Sequence, residues 1–131
     1  VSDKIDWTPY KGFVYTFDET KDIAWLYLVS DMLITDYSSV MFDYSILNRP
    51  MLFFAYDLED YKENLRGFYF DFVNDIPGPI SRDTDQLIKD IKEYNEDSWK
   101  EKYKNYHDKF NGIDDGHASQ KVIDVIKKVS R

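Results

Sequence analysis

Two short apolar runs constrain this chain most. Residues 32–35 (MLIT) and 51–56 (MLFFAY) are too short for helices and show no polar alternation. Each reads as a strand buried on both faces, the mark of a parallel sheet. Parallel strands need crossover connections, and the intervening sequence supplies one. Residues 40–47 have helical spacing and end at Asn48-Arg49-Pro50, because the residue before proline avoids the α region. Upstream, residues 13–17 (FVYTF) have strand composition, and Asp18-Glu19-Thr20 offers helix-start chemistry. Residues 22–30 (DIAWLYLVS) are apolar nearly all round and read as a short buried helix. Residues 13–56 therefore read β-α-β-α-β, a parallel α/β pattern.

The remainder changes character. Residues 57–63 are acidic and suggest a short helical turn. Phe68, Phe70 and Phe72 would share a face if their segment is extended. Ile76-Pro77-Gly78-Pro79-Ile80 is rigid punctuation. From residue 81 to 110 the chain is charged and helical, with Leu87, Ile88, Ile91 and Tyr94 on one stripe. Trp99, Tyr103, Tyr106 and Phe110 continue it as core packing rather than sugar stacking. Asn95-Glu96-Asp97-Ser98 is a break, with Asp97 or Ser98 as cap. Residues 111–116 (NGIDDG) form a turn, and residues 118–129 an amphipathic helix with Val122, Ile123, Val125, Ile126 and Val129 inward. Three strands are half of a usual doubly wound sheet. With a first residue that is not Met, this suggests a portion of a larger fold, its other half upstream.

Composition excludes several classes. The chain has 131 residues, one domain's worth, with 43% hydrophobic residues, enough for a packed core. Its 17 Lys+Arg against 25 Asp+Glu give a net charge of −8, which disfavours nucleic acid as a partner. There is no cysteine, hence no disulfide, thiolate zinc site or cysteine nucleophile. No apolar run approaches the roughly 20 residues of a membrane span.

The chemistry concentrates in residues 33–39 (LITDYSS), where a buried strand gives way to a helix. The first amides of a helix lack internal partners and bind phosphate, and the Ser38 and Ser39 hydroxyls can add to them. In parallel sheets, ligands sit beyond the carboxyl ends of the strands. Asp43 lies one helical turn after Ser39, on the same face. A diphosphate at Ser39 and a ribose diol at Asp43 fit one nucleoside diphosphate, and Asp36 also faces the crevice. The plainer alternative makes Ser38 or Ser39 an N-cap and Asp43 a solvated carboxylate. No Gly-x-Gly-x-x-Gly motif or P-loop is present, so an ordinary dinucleotide or NTPase site is not expected.

The stretch ITDYSSVMFDYSILNRPMLFFAYDLEDYKENLRGFYFDF, followed by the PGPI and DDGHAS segments, resembles the C-terminal part of the CDP-glycerol glycerophosphotransferases. These are the teichoic acid glycerol-phosphate polymerases and their polyol-phosphate relatives. The likeness runs from about Gly12 to the final helix. It implies the C-terminal, donor-nucleotide-binding portion of a two-domain GT-B-type glycosyltransferase fold: a partial Rossmann-like parallel sheet with C-terminal helices, residues 1–131 forming one domain. It further implies transfer of polyol phosphate from CDP-glycerol, or a related CDP-polyol, to a lipid-linked glycerol-phosphate polymer. The expected location is the cytoplasmic face of the membrane, reached through parts outside this chain. The motif carries over as Asp36, Ser38, Ser39 and Asp43, with the serines on the pyrophosphate and Asp43 on the ribose. Arg66 falls in the RGFY block as a phosphate contact, although a salt bridge explains it equally. The family's catalytic histidines lie upstream, so no catalytic residue, cofactor or metal is expected here.

His107 and His117 match neither catalytic histidine, and His117 reads as capping or exposed. Asp114 and Asp115 fall short of a calcium loop and read as turn and cap residues. Ser119 reads as capping or acceptor-side. Lys100, Lys102 and Lys104 read as a solvated helix face, and Arg49 as a surface residue. The rival reading is a free-standing flavodoxin-like nucleotide-binding or regulatory module, which needs a complete sheet of its own.

Overall fold

The computed structural model describes residues 5–17, 20–58 and 70–130. The chain divides into two compact units, Val1–Ser30 and Asp31–Arg131.

In the first unit, a 3₁₀ turn, Thr8–Tyr10, has Pro9 in its opening positions and is set by Asp6, whose Oδ1 accepts the Thr8 amide at 2.9 Å. The amides of Phe13 and Val14 both donate to the Tyr10 carbonyl, and Gly12 takes φ +87°. Residues 13–17 are therefore not the strand their composition predicts. Strand propensity expresses fit to a pleated surface beside a neighbour, and here the chain folds back instead. Helix α1, Ala24–Val29, forms as expected, with the Asp22 carboxylate accepting the Ala24 amide. It is not buried: Trp25 is 65% exposed, and Leu28 and Val29 are exposed too. Near-uniform apolarity over six residues specifies the helix but not what covers it.

The second unit is built on three parallel strands: β1 (Leu33–Thr35), β2 (Met51–Phe54) and β3 (Ile80–Ser81), in spatial order β1-β2-β3. Register pairs Leu33 with Met51, Thr35 with Phe53, and Phe53 with Ile80. Met51, Leu52 and Phe53 are buried, as an unbroken apolar run at the centre of a parallel sheet should be. β1, expected to be buried on both faces, is not. It has one neighbour among the described residues, and Ile34 is 46% exposed. β3 replaces the strand expected at residues 13–17. It follows the Pro77-Gly78-Pro79 segment, whose Pro79 carbonyl accepts the Phe53 amide at 3.0 Å. A Cβ on Gly78 would stand 1.9 Å from the Met51 carbonyl oxygen, so only glycine lets the two backbones meet there. The sheet has three strands among the described residues, not the complete set that the flavodoxin-like alternative requires. It agrees with the partial Rossmann-like α/β fold expected.

Helix α2 (Val40–Ser45) joins β1 to β2 and buries Met41, Tyr44 and Ser45. Arg49, expected at the surface, is half-buried and bonds the Tyr44 phenol, whose pKa burial nevertheless raises. α3 (Phe72–Asp75) is capped by Asp71 through the Asn74 amide. Phe72 therefore opens a helix, so Phe70 and Phe72 are not alternate positions of one strand; Phe68 lies outside the described residues. α4 (Thr84–Lys92) is capped by Asp83, and its Asp90 accepts the buried Ser81 hydroxyl at 2.8 Å. A 3₁₀ turn, Glu96–Ser98, makes the expected break, but Asn95 rather than Asp97 or Ser98 supplies the side-chain cap.

α5 (Lys100–Phe110) packs on α2. Of the predicted aromatic stripe, Tyr103 and Tyr106 are buried core while Trp99 and Phe110 are half-buried: Phe42 stacks on Tyr106 at 5.9 Å, and Phe110 meets Phe42 and Phe70 edge-on at 5.1 and 5.0 Å. Such pairs contribute about 0.5–1.5 kcal/mol each beyond their area. Lys102 lies over the Trp99 ring on the solvated side. Asn111, just past α5, donates from one amide nitrogen to the Phe42 carbonyl (2.7 Å) and the Ser45 hydroxyl (2.6 Å), all within the core. α6 (Ala118–Val129) matches its predicted span, yet Val122, Ile123, Val125, Ile126 and Val129 are exposed rather than inward. Amphipathic spacing specifies an apolar face, not what covers it.

Gly78→Ala is expected to destabilise the chain by about 2–3 kcal/mol, because backbone must yield on both sides of the contact. Urea denaturation of the variant beside the parent measures it, and an unchanged midpoint would contradict the close approach.

Candidate functional site

The site predicted from the sequence falls at the carboxyl ends of β1 and β2. β1 ends at Thr35, and the chain turns through Asp36, Tyr37, Ser38 and Ser39 into α2. The turn is local chemistry: Asp36 Oδ1 accepts the Ser38 amide at 2.7 Å, an Asx turn that reverses the strand. Asp36 thus shapes the loop and is itself exposed.

Ser39 is the N-cap residue of α2, with φ −60° and ψ −13°, but its hydroxyl makes no cap bond. The plainer alternative holds for Ser39 as the N-cap residue, although its side chain adds no cap bond. Ser39 is exposed and Ser38 half-buried. Asp43 follows one turn later and is exposed. Ser39 and Asp43 accordingly share one helix face open to solvent. α2 has only six residues, so its dipole is short. Any ligand here would depend on the loop's own polar groups more than on the helix. Arg66 lies outside the described residues.

One partnership was not legible in the sequence. The Tyr37 hydroxyl donates to both oxygens of Asp57, each at 3.0 Å, across a separation of 20 residues. Parallel pairing makes this possible, because β1 and β2 run in register and end on the same side. No spacing rule predicts such a contact; only the register does. Burial and then the Asp57 carboxylate push the Tyr37 phenol up to about 12.

The described cavities lie elsewhere. One of about 670 Å³ is lined by Asn48, Glu96, Lys100, Tyr103, Lys104 and His107 among others. A neighbour of about 510 Å³ takes in Asp31, Met32, Arg49 and Pro50, at the amino ends of β1 and β2. Parallel-sheet ligands bind at the opposite edge, so volume does not identify the site here. His107 lies 3.4 Å from Asp108, and the exposed His117 contacts the Asp115 carbonyl at 2.9 Å. Asp115 accepts the His117 amide and pairs with Lys121, which lower its pKa, so it is a turn residue as expected. Among the described residues, no three His, Asp or Glu side chains form a group that could hold a metal ion. No helix among them is long and apolar enough to cross a membrane.

Residues 1–128 match the family model described as CDP-Glycerol:Poly(glycerophosphate) glycerophosphotransferase. The chain is 45% identical over 130 residues to the teichoic acid poly(glycerol phosphate) polymerase of Bacillus subtilis (strain 168), covering 98% of this chain and 17% of that protein. It is 44% identical over 121 residues to the teichoic acid glycerol-phosphate transferase of Staphylococcus aureus (strain NCTC 8325 / PS 47), covering 91% of this chain and 31% of that protein. It superposes on a solved structure of the wall teichoic acid polymerase TagF with a TM-score of 0.83 at 43% identity, over 97% of this chain and 32% of that one. A TagF variant soaked with CDPG for 30 minutes gives the same TM-score. The chain thus spans about a third or less of the length of these relatives.

A phenol becomes charged by losing its proton, so a raised pKa means that the folded state holds the proton more tightly. The stability this gives is complete below the ordinary value of 10.0 and is lost as pH rises through about 12. In alkaline phenolate absorbance titrations, Tyr37→Phe should remove one group from the late phase near pH 12. Loss from the earlier phase instead would contradict the Asp57 bond.

Proposed function

Because the chain belongs to the CDP-glycerol:poly(glycerophosphate) glycerophosphotransferase family, we propose that it forms the donor-binding part of a transferase in teichoic acid or related cell-wall polymer synthesis. The donor is CDP-glycerol or a related CDP-polyol, and the acceptor a lipid-linked polyol-phosphate polymer. The observation that carries this reading is the loop at the carboxyl end of the parallel sheet, with Ser39 and Asp43 exposed on one face. Ser38 and Ser39 would bind the pyrophosphate through hydroxyls and amides. Asp43 would accept from the ribose hydroxyls, and Arg66 would contact phosphate. Asp36 would hold the turn that presents them.

In the proposed reaction an acceptor hydroxyl oxygen attacks the β-phosphorus of the donor in line. The bond between the β-phosphorus and the bridging oxygen breaks, and CMP leaves with the electron pair. Hydrogen bonds from the loop would stabilise charge on the diphosphate as it passes to CMP. The hydroxyl proton would go to a base outside this chain, as the family resemblance implies. The upstream domain of the same enzyme would complete the site, and membrane association at the inner face would come through it.

Titration with CDP, followed by backbone amide NMR, tests the donor site. Shifts should cluster at residues 36–43, and Ser39→Ala and Asp43→Ala should each weaken binding by about tenfold, the loss of a charge-assisted or phosphate hydrogen bond. A folded chain whose residues 36–43 do not respond to millimolar CDP, alone and with upstream sequence restored, would overturn the assignment.

A further inference from the structure

We propose that Tyr37 and Asp57 act as a positioning pair that fixes the loop of residues 36–39 for the donor, an inference that rests on the donor-site reading above. Among the described residues, the hydrogen bonds of its other three members hold the loop only to itself and to α2. The hydrogen bonds of Asp36, Ser38 and Ser39 are local: the Ser38 amide to Asp36, and the Met41 and Phe42 amides back to the Ser38 and Ser39 carbonyls. β1 contributes only three residues, and Ile34 at its centre is half-exposed. α2 is anchored at its far end, where Ser45 and the Phe42 carbonyl meet Asn111. Its near end, which carries Ser39, has no such buried clasp among the described residues.

Tyr37 supplies the missing tie. Its hydroxyl spans from the β1 loop to the segment after β2 and engages both oxygens of Asp57 at 3.0 Å. A neutral donor shared between two carboxylate oxygens is a charge-assisted bond. It holds the residue between Asp36 and Ser38, so displacement of the ring would carry both neighbours with it. The rings that pack α2 on α5 are those of Phe42, Tyr106 and Phe110, whereas the Tyr37 hydroxyl is bound at the strand ends. Tyr56, immediately before Asp57, is exposed. Removing one oxygen from Tyr37 therefore leaves the packing of α2 on α5 in place. The phenol keeps its proton well above neutral pH, so the bond persists throughout the working range.

The test is steady-state kinetics of the full-length protein with CDP-glycerol and a lipid-linked acceptor analogue, beside calorimetric binding of CDP and a melting temperature for each variant. Tyr37→Phe and Asp57→Ala should each raise the donor KM and the CDP dissociation constant by about tenfold. The double variant should lose no more than either single one, because both break the same bond. Asp57→Asn, whose amide oxygen still accepts the phenol, should recover part of the loss. Acceptor KM and kcat should stay within about twofold of the parent. Losses that add in the double variant, or a fall in kcat with donor KM unchanged, would overturn the pairing. So would a lowered melting temperature with unchanged CDP affinity. Ser39→Ala and Asp43→Ala separate the two levels: if they raise donor KM while Tyr37→Phe does not, the positioning pair alone is wrong. If they too leave it unchanged, the donor-site reading falls, and the pair with it.

Discussion

The burial of β2 between two parallel neighbours is the constraint on which the second unit depends. Met51, Leu52 and Phe53 have no route to water, so every polar group of their backbone must be met by the chain itself. β1 meets one edge through register, and the Pro77-to-Ser81 segment meets the other. The second contact is possible because Gly78 presents no side chain to the Met51 carbonyl. α2 and α5 gain a common core through Tyr44, Tyr103 and Tyr106, with the Asn111 clasp satisfying buried polar atoms where the helices meet. The alignment of the strand ends, and therefore of everything at that edge, follows from this central pairing.

That edge separates two kinds of requirement. Asp36 bends the chain, and Asp57 receives Tyr37. Ser39 and Asp43 are left outward, and the Ser39 side chain makes no cap bond although Ser39 is the N-cap residue. Polar side chains that stabilise a loop point at the protein, whereas those suited to a ligand point away from it. The cavities at the amino ends of the strands show the converse: ample space, lined by charges of both signs. The chain belongs to the glycerophosphotransferase family, and the donor site proposed for it lies at the first edge.

Much of this was legible in the residues, for reasons that can be named. β1, α2 and β2 follow from run length and from Pro50, which stops a helix wherever it sits. α5 follows from aromatic spacing that matches one helical stripe. β3 was hidden because Ile80 and Ser81 are only two residues behind a Pro-Gly-Pro turn. What makes them a strand is a close backbone approach that composition does not display. Residues 13–17 misled for the opposite reason, having the right side chains but, among the described residues, only an isolated bridge of Val14 to Lys11. In the candidate site, Asp36, Ser38, Ser39 and Asp43 could be proposed from the sequence because they are contiguous or one turn apart. Asp57 was missed because its relation to Tyr37 exists only after β1 and β2 have aligned. The faces of α1 and α6 were read as buried because amphipathicity records which side is apolar and nothing about what lies against it.

The parallel sheet has a consequence in time as well as in space. No two of its strands can meet through a hairpin. Leu33 finds Met51 only after α2 has closed the loop between them, and Phe53 finds Ile80 only across 27 residues of intervening separation. Chain entropy is spent in both closures before any ladder bond repays it. Folding should therefore proceed from the helices inward, with the sheet assembling late and β3 last. The carboxyl edge, where Tyr37 meets Asp57, would then be among the final parts of the molecule to acquire its shape.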